Sequence, residues 1–157
     1  MKLRRLLAGA LAVSMMFSQA VYAEEIENIP EDHYTAEANL SGTDVTSAFS
    51  DENFKAAVRW ALGLESSDPI TKEACESKAV LDVSNCEISD LSGIECFTNL
   101  EHFRCNNNNL SILDLSCCAN IKSVLCQNNN LISINLSGCS SLSDLNCSEN
   151  KLSSLIL

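Results

Sequence analysis

The sequence predicts an α/β solenoid: short parallel strands stacked coil upon coil behind a small helical N-terminal cap. Three observations carry this. Segments beginning at Leu100, Ile121 and Leu142 superpose at a spacing of 21 residues. Within each, apolar residues two apart, such as Phe103 and Cys105, describe a short strand whose alternate residues face outward. Upstream, Phe54, Ala57, Val58, Ala61 and Leu62 share one face of a helix spanning about 51–62.

Residues 1–23 read as an export signal. Lys2, Arg4 and Arg5 form a positive start, Leu6 to Phe17 is apolar but short for a bilayer, and Val21-Tyr22-Ala23 supplies small residues for cleavage. Removing it leaves no further apolar run long enough to span a membrane, so the expected location is secreted or cell-surface. Residues 24–48 mix acids and small polar residues without periodicity, which predicts a mobile acidic linker. The cap is expected at 49–77. Ser50 or Asp51 opens its first helix, Gly63 closes it, and Asp68-Pro69-Ile70-Thr71 is a turn leading into a shorter helix through Cys75. Trp60 lies off the apolar stripe and is expected to be partly buried.

From 78 to 157 the chain is repetitive: one 22-residue coil, then 21-residue coils, the last incomplete. The apolar columns are Leu100/Ile121/Leu142, Phe103/Val124/Leu145, Leu110/Leu131/Leu152, Leu113/Ile134/Leu155 and Leu115/Leu136/Leu157. This pattern predicts one parallel strand per coil. An asparagine column, Asn108/Asn129/Asn150, falls where the chain leaves the strand, and a side-chain amide there can both donate to and accept from backbone groups the turn leaves unpaired. It is expected to be a structural ladder.

The cysteines form two columns, Cys105/Cys126/Cys147 on the strand and Cys96/Cys118/Cys139 on the return path. Stacked neighbours stand about 4.8 Å apart and point the same way, whereas a disulfide favours Cβ atoms roughly 3.8 Å apart. Buried free thiols are therefore the expected structural role. Disulfides involving Cys75, Cys86 or Cys117 are the alternative, and a metal centre would need thiolates converging on one point instead of spreading along an axis.

The pattern LxxLxCxxNxLxxLDLSxC resembles the leucine-rich-repeat signature in its short bacterial form. Ile88-SDLSGIECFTNL to Leu100 is similar to segments of internalin-like surface proteins, and Phe49 to Leu64 with Asp68-Pro69-Ile70-Thr71 is similar to their helical N-terminal cap. The resemblance implies a right-handed leucine-rich-repeat coil and a bacterial exported protein. Lys78 stands where the pattern prefers leucine, and Cys86 stands in place of the first ladder asparagine.

Composition narrows the function. The formal net charge is -11, with 21 Asp+Glu against 10 Lys+Arg, which excludes the basic face a nucleic-acid binder needs. Residues 24–101 carry 18 acidic and 4 basic side chains; 102–157 carry 3 of each. The two histidines, His33 and His102, have no neighbouring nucleophile or orienting acid, and no phosphate loop or calcium loop is legible, so neither catalysis nor a cofactor nor a metal is expected. What remains is a presented face. Outward strand residues Asp82, Ser84, His102, Arg104, Asn106, Ser123, Leu125, Gln127, Asp144, Asn146 and Ser148 make it polar and nearly neutral, with Leu125 its apolar member and Arg104 its cation. The expectation is a non-catalytic exported protein that binds another protein or a cell surface. The alternative is the N-terminal recognition module of a larger adhesin or enzyme, since Leu157 falls inside a coil; the uncovered apolar end also predicts end-to-end self-association.

Overall fold

The computed structural model describes residues 42–156; the predicted signal segment 1–23 and the linker as far as residue 41 lie outside the described residues. The cap begins earlier than its sequence boundary. A 3-10 turn at Thr46–Ala48 is tied to the segment before the second helix: Val45 N–H donates to Ile70 O at 2.8 Å, Lys72 N–H donates to Thr43 O at 2.9 Å, and Ile70 N–H donates to Thr46 Oγ1 at 2.8 Å. These bonds order 43–48, which the sequence assigned to the linker because they leave no apolar pattern.

Helix α1 spans Glu52–Leu62 and buries Phe54, Ala57, Val58 and Leu62. Asp51 caps its start, and Gly63 stops it in the left-handed conformation at φ 70°, which glycine adopts without steric cost. Arg59 and Trp60 carbonyls take the last amides. Trp60 is exposed, not part-buried, because it sits off the stripe that meets the core. Helix α2, Lys72–Glu76, is opened by Thr71, whose hydroxyl accepts from Ala74 N–H at 3.3 Å.

From the second coil on, the coils carry two strands each, not one. The first sheet is β1 (Val80–Asp82), β2 (His102–Arg104), β4 (Ser123–Leu125) and β6 (Asp144–Asn146); the second is β3 (Ile112–Asp114), β5 (Ser133–Asn135) and β7 (Ser154–Ile156). All pairings are parallel, and Leu81, Phe103, Val124 and Leu145 stand in register, as do Leu113, Ile134 and Leu155. The second strand comes from the same alternation as the first: Leu113 and Leu115 point inward and Asp114 outward. A side-chain oxygen ends most strands by accepting the amide two residues on, as from Ser84 to Asp82, Ser116 to Asp114, Ser137 to Asn135 and Ser148 to Asn146. The result is a solenoid of about four turns whose core runs unbroken from Phe49 and Phe54 to Ile134 and Leu136.

The first coil differs from the others, and the cap explains how. Backbone bonding aligns Ile88 with Leu110 and Ile94 with Leu115, so the extra residue of the 22-residue coil lies between Ile88 and Ile94. No strand forms there. Instead Asp51 reaches across from the cap. Its Oδ1 accepts from Asn53 and Phe54 amides at 2.9 and 3.0 Å, while its Oδ2 accepts from Ser89 N–H at 2.9 Å and Asp90 N–H at 3.2 Å. One carboxylate thus caps α1 and pairs the edge amides of the first coil. Behind it Phe49 packs on Phe54 and Phe97, ring centroids 5.5 and 6.5 Å apart. Gly93 at φ 104° leaves room for the Phe49 ring, which a Cβ there would meet at 2.5 Å. Lys78 fills the leucine position half-buried, and burial pulls its ammonium below the usual lysine range.

Burial alone would raise the Asp51 carboxyl, but the bonds from Ser89, Phe54 and Asp90 outweigh it and hold the group below the ordinary aspartate range. A carboxyl depressed in the folded state stabilises above its unfolded pKa of about 3.9 and loses that contribution as pH falls through the folded value. Asp51→Ala is therefore expected to cost about 1–2 kcal/mol at pH 7, with the gap to the unsubstituted protein narrowing in acid. Urea midpoints across pH measure it. A variant equal to the parent at pH 7 would contradict the bridging role.

Candidate functional site

The outward residues of the first sheet lie in three parallel rows set by strand register. Val80, His102, Ser123 and Asp144 form one, and Asp82, Arg104, Leu125 and Asn146 the next. Ser84, Asn106, Gln127 and Ser148 continue it where the ladder runs on past the strands. Arg104 is not a free cation: its guanidinium lies 3.7 Å from Asp82. Ser123 Oγ donates to Asp144 Oδ2 at 3.0 Å. Asn146 Oδ1 accepts from the Ser148 hydroxyl at 2.8 Å, and Gln127 Oε1 is buried without a hydrogen-bond partner among the described residues. Val80 at 42 % exposure is a second apolar member beside the half-buried Leu125. It escaped the sequence reading because it precedes the clear repeats. The second sheet presents a further face that was not foreseen, with Ile112 and Ile156 exposed beside Asp114 and Asn135.

Behind the rim of the first sheet stands the asparagine column. Asn108 Oδ1 accepts from Cys86 and Ile88 amides at 3.1 and 3.0 Å, and its amide nitrogen donates to Val83 O at 2.8 Å and Cys105 O at 3.0 Å. Asn129 repeats this one coil on, accepting from Leu110 N–H at 3.0 Å and donating to Cys105 O at 2.9 Å and Cys126 O at 3.2 Å. Asn150 does the same with Leu131 N–H, Cys126 O and Cys147 O. Each side chain therefore bonds its own turn and the turn before it. A second, exposed column precedes it: Asn85, Asn107, Asn128 and Glu149 all hold positive φ between 52° and 59°, a conformation that asparagine tolerates better than most residues. Runs such as Asn106 to Asn109 thus combine two different requirements, one for a buried amide and one for a left-handed turn.

All nine cysteines are free thiols. Cys105 and Cys126 are buried on the strand column, with Cys147 half-buried at the end coil. Burial raises the Cys105 thiol well above the ordinary range and that of Cys126 to about 12, as it raises Cys75 to about 12 and Cys86 to about 11. Such groups stay protonated and unreactive at neutral pH. On the return path the extra residue of the first coil shifts the register. Phe97, not Cys96, precedes Cys118 and Cys139, and Cys96 aligns with Cys117 instead. No group of three or more histidine, cysteine or acidic side chains placed to hold a metal ion occurs among the described residues.

Residues 49–157 match the family described as the leucine-rich-repeat domain of the endo-beta-N-acetylglucosaminidase EndoS. The chain belongs to the leucine-rich-repeat family. Within it, the chain is internalin-like: it is 38 % identical over 68 residues to internalin J of Listeria monocytogenes serotype 4b (strain F2365), covering 43 % of this chain and 7 % of that protein. It also superposes with a TM-score of 0.66 and 34 % identity on the functional domain of internalin J from Listeria monocytogenes, covering 70 % of this chain and 24 % of that one. That structure is described as including a cysteine ladder. The chain thus spans less than a tenth of the curated relative it matches.

In these leucine-rich repeats the middle asparagine stands between two complete coils and bonds the turns of both. Asn129→Ala leaves the Leu110 amide and two carbonyls without a side-chain partner and is expected to cost about 1–3 kcal/mol. Asn130→Ala beside it removes only an exposed bond from Lys151 Nζ and is expected to stay within about 0.5 kcal/mol of the parent. Guanidinium melts of the two variants make the comparison, and equal midpoints would remove the ladder from the account.

Proposed function

We propose that this chain is a non-catalytic recognition module, exported through its N-terminal segment, that binds a protein or cell surface with the outward face of the first sheet. The observation that carries this is the register of that face. His102, Arg104 and Leu125 project from β2 and β4, which are paired on both sides within the sheet, with Asp144 beside them on β6, so a partner meets a preordered surface and little ordering entropy is lost on docking. Its composition fits a protein partner: a half-buried leucine and an arginine at the centre, small polar residues at the rim. No described helix is long and apolar enough to cross a membrane.

Two observations favour placing this module within a larger adhesin or enzyme. The matching family is itself a domain of a glycosidase, and the chain corresponds to a small part of internalin J. The outer edges of β6 and β7, with Leu155 and Ile156 exposed, support a further reading, in which this edge pairs with a second copy.

The test is saturable binding of the labelled protein to cultured animal cells. The pair Arg104→Glu and Leu125→Asp is expected to weaken it at least tenfold, the loss of a central contact worth about 2 kcal/mol, while Ala119→Asp on the return path leaves it unchanged. Equal binding by all three proteins would overturn the assignment of the face, and absence of saturable binding would overturn the cell-surface role.

A further inference from the structure

Cys117 and Cys118 turn the corner between the second sheet and the next coil. Their sulfurs lie 3.6 Å apart. Cys117 is exposed and Cys118 buried, with the Cys118 sulfur 3.7 Å from the Phe97 carbonyl oxygen and its backbone N–H donating to Leu115 O at 2.8 Å. A reagent arriving from solvent therefore meets Cys117 first, and the second thiol already touches the sulfur that has reacted. The stacked thiols of the strand column lack this combination, since Cys105 and Cys126 are both buried.

We propose that Cys117 and Cys118 are a thiol–disulfide exchange pair for small accessible disulfides of the glutathione type, with Cys117 attacking and Cys118 resolving. In the first step Cys117 loses its proton to solvent and its thiolate attacks one sulfur of the disulfide. The sulfur–sulfur bond breaks, one thiolate leaves and is protonated, and the other half stays on Cys117. In the second step Cys118 loses its proton and attacks Cys117 Sγ, expelling the second thiol. The small disulfide gains two electrons and becomes two thiols; the protein pair loses two electrons and becomes a disulfide between neighbours. No other reactant is consumed.

The geometry also sets the direction. Consecutive Cα atoms stand about 3.8 Å apart, closer than the roughly 4.4–6.8 Å that disulfides prefer. The ring is strained and readily reduced, so it closes under an excess of oxidised disulfide and reopens when thiols predominate. Burial and the neighbouring Cys117 raise the Cys118 thiol well above the ordinary range, which keeps it from initiating the exchange and leaves that role to Cys117.

The folded protein treated with excess oxidised glutathione, then alkylated and digested, provides the test by mass spectrometry. The peptide holding both residues is expected to lose two hydrogens, carry no glutathione, and revert with dithiothreitol. Cys118→Ala is expected to accumulate glutathione on Cys117, and Cys117→Ser to leave Cys118 unmodified. The unsubstituted protein decides the matter even where a variant folds poorly. A persistent glutathione adduct on Cys117, a bridge to Cys96, a dimer through Cys117, or no reaction there would each overturn the proposal.

Discussion

Every coil must leave its strand and turn, and that turn strands backbone amides and carbonyls where water does not reach. The asparagine column meets this constraint. A buried amide that stayed unpaired would cost about 1–3 kcal/mol per coil, too much for units that bury little core of their own. Asn108 and Asn129 each satisfy their own turn and the preceding one with a single side chain, so the bonds that make a turn affordable also fix the spacing between coils. The inward apolar columns then pack at that spacing, and the outward rows inherit it.

The two ends of the described solenoid show what happens where the column stops. At the N-terminal end Cys86 replaces the asparagine, and Asp51 of the cap accepts from the edge amides of Ser89 and Asp90. The aromatic cluster of Phe49, Phe54 and Phe97 covers the apolar face there. At the other end Asn150 bonds its own turn and the one before it but is only half-buried, as are Cys147 and Leu152, and Leu155 is exposed. Stability in a stacked repeat is a sum of coil and interface terms, so order is expected to be greatest in the second and third coils, where the presented face is also centred.

Much of this was legible in the sequence because repetition amplifies weak signals. The strands around Phe103, Val124 and Leu145 and the helix starting after Asp51 follow from apolar spacing alone. The second sheet was harder to read: Leu113 and Leu115 alternate like Phe103 and Cys105, but a three-residue strand inside a leucine-rich run leaves no longer pattern. One inserted residue between Ile88 and Ile94 was enough to put Phe97 where Cys96 was expected. Val80 joined the face unseen because the first coil matches the repeat poorly. The ordering of 43–48 rests on backbone bonds to Ile70 and Lys72, which no side-chain pattern announces.

The account stands on the claim that side-chain amides hold the turns as firmly as the sheets hold the strands. Native-state hydrogen exchange of the Leu110 amide tests this directly, because its acceptor is Asn129 Oδ1 instead of a neighbouring strand carbonyl. The account predicts that it exchanges as slowly as the Cys105 amide, which donates to Leu125 O within the ladder at 2.9 Å. Exchange of the Leu110 amide at the rate of an unprotected surface amide, while Cys105 stays protected, would contradict it.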